Sequence, residues 1–170
     1  WTIGLVGFGS IGRAGERYLR VFGTRVMVYD PNMPQGDLPE NVIPSDMPGL
    51  LRNCDLVSLH VNCTPQEGPV LGRQEIFSMK KGSRLVNTAR GYLVDEQALH
   101  DALTSGHLSS AALDVFSREP YDGPLAGLEQ VLCTPHVAST TRTSRVAMEV
   151  DSAQNVVSFF SRQRAVGRAV

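Results

Sequence analysis

The chain has 170 residues, of which 42% are apolar, and its 16 Lys and Arg against 17 Asp and Glu give a net charge of −1. This composition is typical of an ordinary folded domain. It excludes a disordered or fibrous chain, and it gives no electrostatic basis for nucleic acid or an anionic membrane as a partner. No run of 18 apolar residues occurs, so no membrane-spanning helix is expected.

The cysteines indicate a reducing compartment. Cys54, Cys63 and Cys133 are too few and too far apart for a disulfide framework or a zinc ribbon. The residues before Gly12 also lack the basic segment of a secretory signal. We therefore expect a cytoplasmic protein without a bound metal.

Short apolar runs alternate with helical patterns along the chain. Strands are predicted at Thr2–Val6, Arg25–Tyr29, Asp55–Val61, Arg84–Thr88, Ser110–Phe116 and Gln130–Thr134. Helices are predicted at Ile11–Phe22, Arg73–Met79, Asp95–Ser105 and Thr141–Arg162, and a short helix is predicted to end at Leu50–Asn53. The segment 31–49 contains five prolines and is predicted to be a loop or short turns.

This alternation predicts an α/β fold. A parallel sheet with helices on both faces, the doubly wound or Rossmann architecture, buries such strands on both sides. We expect one such domain over residues 1–162, followed by a tail at 163–170. Folds of this class bind ligands beyond the carboxyl ends of their strands, so functional residues are expected in the loops at that edge.

A glycine motif follows the first predicted strand and opens the first predicted helix. Residues 7–12 read Gly-Phe-Gly-Ser-Ile-Gly, which matches the G-x-G-x-x-G pattern of dinucleotide-binding proteins. In that pattern Gly7 permits a tight turn, Gly9 lets the backbone approach a pyrophosphate, and Gly12 allows the helix to pack closely on the strand. Unpaired N–H groups at the start of the helix then face the phosphates.

An acidic residue ends the second predicted strand. Asp30 lies 18 residues after Gly12 (30 − 12), where a carboxylate can accept hydrogen bonds from both ribose hydroxyls. The same carboxylate repels a 2′-phosphate, and no Arg or Lys stands at 31–36 to receive one. The sequence therefore predicts binding of NAD rather than NADP.

Polar side chains also follow three later strands. Arg90, Glu119 and His136 each lie in a segment just after a predicted strand, at the edge that carries the glycine motif. A guanidinium suits a carboxylate, and an imidazole can move a proton as hydride moves, so the three would suit a 2-keto acid. Taken singly, each residue also fits a surface or structural role, and the pattern alone leaves both interpretations open.

Five sequence blocks occur together in one order. They read IGLVGFGSIGR, VYDP, LVNTARGYLVDE, ALDVFSREP and TPHVAST. In this respect the chain resembles the NAD-binding domain of the D-isomer-specific 2-hydroxyacid dehydrogenases, a family that includes phosphoglycerate dehydrogenase and hydroxypyruvate reductase. The resemblance extends from about Thr2 to Phe160.

The resemblance implies roles for four residues near the nicotinamide. It implies that Arg90 binds the substrate carboxylate and carbonyl, and that His136 is the general acid and base. Glu119 would pair with that histidine, and Asp114 would contact the carboxamide of the cofactor. The implied activity is hydride transfer between NADH and a 2-keto acid or D-2-hydroxy acid.

The resemblance also implies the rest of the cofactor site, the activity of the chain alone and its oligomeric state. Ser10 and Ile11 would lie under the pyrophosphate, and further cofactor contacts would come from His60, Val61, Thr64, Thr88 and Ala89. Members of the family carry a separate substrate-binding domain, which this chain lacks, so the chain alone is expected to be nearly inactive. A homodimer is expected, because cofactor domains of the family form much of the dimer interface.

Two other functions remain open from the sequence. One is a transcriptional corepressor of the same fold that senses NADH, and the other is a dinucleotide-binding module without chemistry. The second is disfavoured because binding alone requires none of Arg90, Glu119 and His136. The identity of the 2-hydroxy acid is not indicated by these residues.

Overall fold

The computed structural model describes residues 1–33, 38–61 and 64–161. The chain forms two compact units, Trp1–Pro135 and His136–Val170. The strands are β1 Thr2–Val6, β2 Arg25–Tyr29, β3 Val42–Pro44, β4 Leu56–Leu59, β5 Arg84–Asn87, β6 Ser110–Leu113 and β7 Val131–Cys133. The α-helices are α1 Ser10–Val21, α2 Met47–Asn53, α3 Arg73–Ser78, α4 Glu96–Thr104 and α5 Arg142–Phe160, with 3-10 turns at Pro65–Glu67, Gly91–Leu93 and Pro124–Gly127.

All seven strands form one parallel sheet in the order β3-β2-β1-β4-β5-β6-β7. The chain therefore builds outward in one direction from β1 to β3 and in the other from β4 to β7. The reversal falls between β1 and β4, where Val6 is in register with Leu59. This is the doubly wound fold that the alternation of strands and helices predicts, and its switch point lies beside the glycine motif.

The sheet is packed from both sides by two hydrophobic clusters. The larger cluster joins α2, α3 and α4 to the strands β4–β6, through buried side chains that include Leu50, Ile76, Leu85, Leu99 and Leu113. The smaller cluster lies under α1 and contains Ile3, Leu5, Phe8, Val26, Val28 and Val42, with Leu19 of the helix packed against it. Each cluster buries the inward face of its helices, as an amphipathic helix on a sheet requires.

The predicted loop at 31–49 is partly wrong. It contains β3, which pairs with β2 through Val26 and Val42, and it contains the first turn of α2. The prolines in this segment favour a loop prediction and so led the sequence analysis to miss both elements. β3 is one of the two edge strands of the sheet, where Pro44 is tolerated. Pro48 lies in the first turn of a helix, where a backbone N–H has no partner within the helix.

Four strands end earlier than predicted: β5 and β7 by one residue, and β4 and β6 by more. β4 ends at Leu59 and β6 at Leu113, so the polar residues that follow them already lie in loops at the carboxyl edge. The predicted long helix rests on five apolar residues at helical spacing, and all five lie on α5 but stay exposed, namely Val146, Val150, Ala153, Val157 and Phe160. The predicted helix end at Arg162 and the tail at 163–170 lie outside the described residues. None of the helices in the described parts of the chain is long and apolar enough to cross a membrane.

Candidate functional site

The glycine turn is shaped by close backbone contacts. Gly7 has φ of +99°, and a Cβ built on it would lie 2.6 Å from the carbonyl carbon and oxygen of His60. A Cβ on Gly12 would overlap the carbonyl oxygen of Gly7. Gly9, in contrast, has no atom within 4 Å of its Cβ position and faces open space. The turn is therefore closed on the protein side and open where a phosphate would approach.

The start of α1 offers donors to an anion. The helix begins at Ser10 after Gly9, and no side chain caps it. The first N–H groups of a helix have no partner within the helix, and its dipole favours negative charge there. Ser10 and Ile11 are both exposed. These residues fit the pyrophosphate of a dinucleotide.

Asp30 is bonded to the glycine turn itself. Its Oδ2 accepts a hydrogen bond of 2.7 Å from the backbone N–H of Phe8, and its Oδ1 accepts one of 2.8 Å from the N–H of Asn32. The carboxylate thereby joins the end of β2 to the loop after β1. A turn-capping role for Asp30 is the alternative that the sequence offers to a ribose contact, and the structure shows that Asp30 does hold the turn.

His60 packs back against its own strand. Its Nε2 lies 3.0 Å from Oγ of Ser58, and burial lowers the pKa of His60, so the ring is neutral at neutral pH. Its backbone, together with the N of Val61, is the part that lies against Gly7. Thr64 donates from its N and Oγ1 to Oε2 of Glu67, at 2.6 and 3.0 Å. That these residues line the cofactor stays a prediction.

A buried amide shapes the loop that carries Arg90. Asn87 is 1% exposed, and its Nδ2 donates to the carbonyl oxygen of Arg90 at 2.8 Å while its Oδ1 accepts from the N–H of Ala89 at 3.0 Å. Thr88 and the side chain of Arg90 are exposed, and Nη1 of Arg90 donates to the carbonyl oxygen of Ala89 at 2.6 Å. Sequence reasoning misses Asn87, whose only signal is a polar side chain at the end of an apolar strand.

Asp114 connects the ends of three neighbouring strands. It is 3% exposed, and its N–H donates to the carbonyl oxygen of Asn87 at 3.0 Å. Its Oδ1 accepts a hydrogen bond of 2.6 Å from Oγ1 of Thr134. The residue after β6 is therefore fixed to the ends of β5 and β7.

The loop that carries Glu119 lies against the loop that carries Arg90. Oε1 of Glu119 accepts a hydrogen bond of 3.1 Å from the N–H of Phe116. A Cβ on Gly91 would overlap the backbone of Phe116, so the two loops are in direct contact. The structure thus brings Arg90 and Glu119 onto adjoining segments at the carboxyl edge of β5 and β6.

His136 is the first residue of the second unit. It is exposed and has φ of 55°, a left-handed conformation that is uncommon for a residue other than glycine. Such conformations occur disproportionately at functional sites. Its convergence with Arg90 and Glu119 stays a prediction. Among the described residues, no group of three or more His, Cys, Asp or Glu could hold a metal ion.

Known proteins resemble this chain in sequence and in fold. The family model for the D-isomer specific 2-hydroxyacid dehydrogenase, NAD binding domain, matches residues 1–138. The chain is 38% identical over 155 residues to a hydroxypyruvate reductase of Thermotoga maritima. The aligned region covers 88% of this chain and 50% of that protein. The chain spans about half the length, or less, of the curated relatives that it matches.

Two solved structures differ in the cofactor that they contain. A D-lactate dehydrogenase with NAD⁺ from Lactobacillus jensenii superposes with a TM-score of 0.85 at 30% identity, over 99% of this chain and 55% of that one. A D-isomer specific 2-hydroxyacid dehydrogenase from Xanthobacter autotrophicus Py2, in complex with NADPH and MES, gives a TM-score of 0.83 at 28% identity, over 99% and 70%. With the glycine turn, Asp30 and the family match in agreement, the chain belongs to the D-isomer specific 2-hydroxyacid dehydrogenases and is an NAD-binding domain of that family.

Proposed function

We propose that the protein carrying this domain transfers hydride between NADH and a small 2-keto acid, or between NAD and the corresponding D-2-hydroxy acid. The observation that carries this proposal is the contact between the Arg90 and Glu119 loops at the same sheet edge as the glycine turn. Binding of a dinucleotide alone would require neither the Arg90 nor the Glu119 side chain. When bound, the nicotinamide supplies or accepts the hydride.

The residues of the first unit would hold the cofactor along the carboxyl edge. Gly7, Gly9 and Gly12 shape the turn, while the N–H groups at Ser10 and Ile11 would bind the pyrophosphate. Asp30 would accept bonds from the adenosine ribose and exclude a 2′-phosphate, so we propose NAD rather than NADP as the preferred cofactor. The remaining contacts would come from His60, Val61, Thr64, Thr88, Ala89 and Asp114.

Three residues would act on the substrate. The planar guanidinium of Arg90 would bind the keto acid carboxylate by two parallel hydrogen bonds. His136 would donate a proton to the carbonyl oxygen during reduction and take it back during oxidation. Glu119 would accept a hydrogen bond from the imidazole and hold the ring in place.

The test compares variants of the full-length protein with glyoxylate and hydroxypyruvate as substrates. His136→Ala should lower kcat by roughly 10²–10⁴-fold, the usual contribution of a general acid, with little change in NADH affinity. Arg90→Lys should lower kcat/KM for the keto acid, whereas Arg118→Lys, an exposed arginine in the Glu119 loop, should not. Near-normal turnover by His136→Ala would show that the proposal is wrong.

We also propose a homodimer in the cytoplasm. Tyr18 and Val21 of α1 and Phe22, the residue that caps its end, are 73–82% exposed, and such large apolar side chains are costly to leave in water. The two described cysteines, Cys54 and Cys133, form no disulfide, which fits a reducing compartment. Sedimentation of the protein should give a dimer that Tyr18→Glu converts to a monomer, and a monomeric wild-type protein would contradict the assignment.

A further inference from the structure

Two neighbouring amides of the Glu119 loop are bonded to two different carboxylates. The N–H of Phe116 donates to Oε1 of Glu119 in the same loop, at 3.1 Å. The next N–H, that of Ser117, donates to Oε1 of Glu96 at 2.7 Å. Glu96 is the first residue of α4 and lies 21 positions earlier in the chain, so this bond joins the loop to a separate element.

Glu96 lies at the start of a helix that is capped and packed against the core. Asp95 caps α4 by accepting a hydrogen bond of 3.0 Å from the N–H of Ala98. The helix then buries four apolar side chains in the larger core cluster, namely Ala98, Leu99, Ala102 and Leu103. A carboxylate in the first turn is also favoured by the helix dipole. The backbone from which the Glu96 side chain extends is therefore anchored in the core, while the hydrogen bond to Ser117 lies at an exposed position.

Glu96 and Glu119 accept hydrogen bonds from consecutive amides of one loop, Glu119 from the N–H of Phe116 and Glu96 from the N–H of Ser117. Without the Glu96 carboxylate the Ser117 amide would lose its acceptor, which favours a rearrangement of the loop that also carries Glu119. On its other side the loop is in close backbone contact with Gly91, where even a Cβ would overlap the carbonyl group of Phe116.

We propose that Glu96 is a positioning residue, which holds the Glu119 loop against the Arg90 loop and so fixes the place of the Glu119 carboxylate. The proposal rests on the proposed function in one respect only, namely that Glu119 acts in turnover. The hydrogen bond itself, and its effect on the loop, can be measured without turnover.

The experiment uses the full-length protein and the variants Glu96→Ala and Glu96→Gln. Glutamine retains an oxygen that can accept from Ser117, whereas alanine does not. Glu75→Ala is the matched control. Glu75 lies in the first turn of α3 and accepts a hydrogen bond of 3.1 Å from the N–H of Gly72, the residue before the helix. The helix α3 carries no proposed site residue. Melting temperature, NADH affinity, kcat and KM for glyoxylate, and amide hydrogen exchange at Ser117 are measured for each protein.

Glu96→Ala should lower kcat by roughly 10–100-fold, since a misplacement of about 1 Å can cost 10²-fold. Its NADH affinity should stay within about twofold, and exchange at Ser117 should accelerate. Glu96→Gln should have a kcat close to the wild-type value and slower exchange at Ser117 than Glu96→Ala. Glu75→Ala should lower the melting temperature about as much as Glu96→Ala does, with kcat unchanged. Equal kcat losses in Glu96→Ala and Glu75→Ala, or no recovery in Glu96→Gln, would overturn the positioning role.

The two proposals fail in different ways. If the wild-type protein reduces no 2-keto acid, the proposed function is wrong, and exchange at Ser117 then decides the role of Glu96 alone. Faster exchange in Glu96→Ala than in Glu96→Gln supports Glu96 as the residue that holds the loop. Equal exchange in the two variants refutes it.

Discussion

Gly91 and Phe116 touch through their backbones, and a methyl group on Gly91 would overlap the carbonyl group of Phe116. Gly91 is buried and directly follows Arg90, while Phe116 starts the turn that Glu119 closes. The two loops come from different strands, β5 and β6, yet they are fixed as one block. A glycine is required here by close approach rather than by an unusual φ.

Gly91→Ala should therefore destabilise the domain. Forcing one methyl group into a packed contact costs about 1–3 kcal/mol in the free energy of unfolding. Gly127→Ala is the control, because the Cβ position of Gly127 has no atom within 4 Å, and its effect should be within about 0.5 kcal/mol. Urea unfolding of both variants measures the difference, and equal stabilities would show that the contact is easily relieved.

Asp30→Asn should weaken the discrimination between NADH and NADPH. We expect the wild-type chain to bind NADH at least tenfold more tightly than NADPH, a difference of about 1.4 kcal/mol. Asparagine keeps an oxygen for the N–H of Phe8 but loses the charge that repels a 2′-phosphate. Fluorescence titration with both cofactors should show the ratio falling toward one, and an unchanged ratio would mean that Asp30 does not select the cofactor.

His60 should make stability fall as the pH falls below 6.5. Burial lowers the pKa of His60 in the folded state from its ordinary value of 6.5, so the unfolded chain binds this proton first. The stabilisation is thus present above pH 6.5 and is lost as the pH falls from there through the folded-state pKa. His60→Gln should lose less stability than the wild-type chain between pH 7.5 and 5.5 in urea unfolding, and equal losses would contradict the assignment.

Glu16 should make a separate contribution at lower pH. Its carboxylate is 2% exposed and accepts hydrogen bonds from Arg20, at 3.0 and 2.9 Å, and from Asn41 at 2.9 Å. The bond from Arg20 is the main cause that lowers the pKa of Glu16, against the opposing effect of burial. This stabilisation is present above the ordinary carboxyl pKa and is lost as the pH falls through the lowered one. Glu16→Gln should flatten the stability curve between pH 5 and 3, and an unchanged curve would argue against the pair.

The parts of the fold that could be predicted from sequence are local. β1 and β2 are short apolar runs bounded by turn residues, and both are predicted with their observed ends. β6 is predicted too long because Val115 and Phe116 are buried in the core although they lie in a loop. An apolar pattern reports burial, and it does not distinguish a strand from a loop packed at the edge of a sheet.

The site likewise has residues that the sequence reveals and residues that only the structure reveals. The glycine turn and Asp30 have a fixed spacing that the sequence reveals. Asn87 and Glu96 act through hydrogen bonds to loop backbone, and for Glu96 the partner is 21 positions away. Only the fold brings Glu96 to Ser117, so no spacing rule in the sequence could have identified Glu96. Asn87 bonds to backbone two and three positions away, and its one signal is local, namely a polar side chain at the end of an apolar strand.

The pairing of β1 with β4 is the seam between the two halves of the sheet. Ile3 and Leu56 are 53 positions apart (56 − 3), whereas Thr2 and Arg25 in the β1–β2 pair are 23 apart (25 − 2). Closing the longer stretch costs about 0.7 kcal/mol more chain entropy. At the start of β1 the two halves are joined by a hydrogen bond of 2.9 Å from the N–H of Thr2 to the carboxylate of Asp55. Beyond the end of β1 they are joined by the backbone contact of Gly7 with His60. A dinucleotide lying across that second contact would join the half-sheets, so its binding energy would act against their separation.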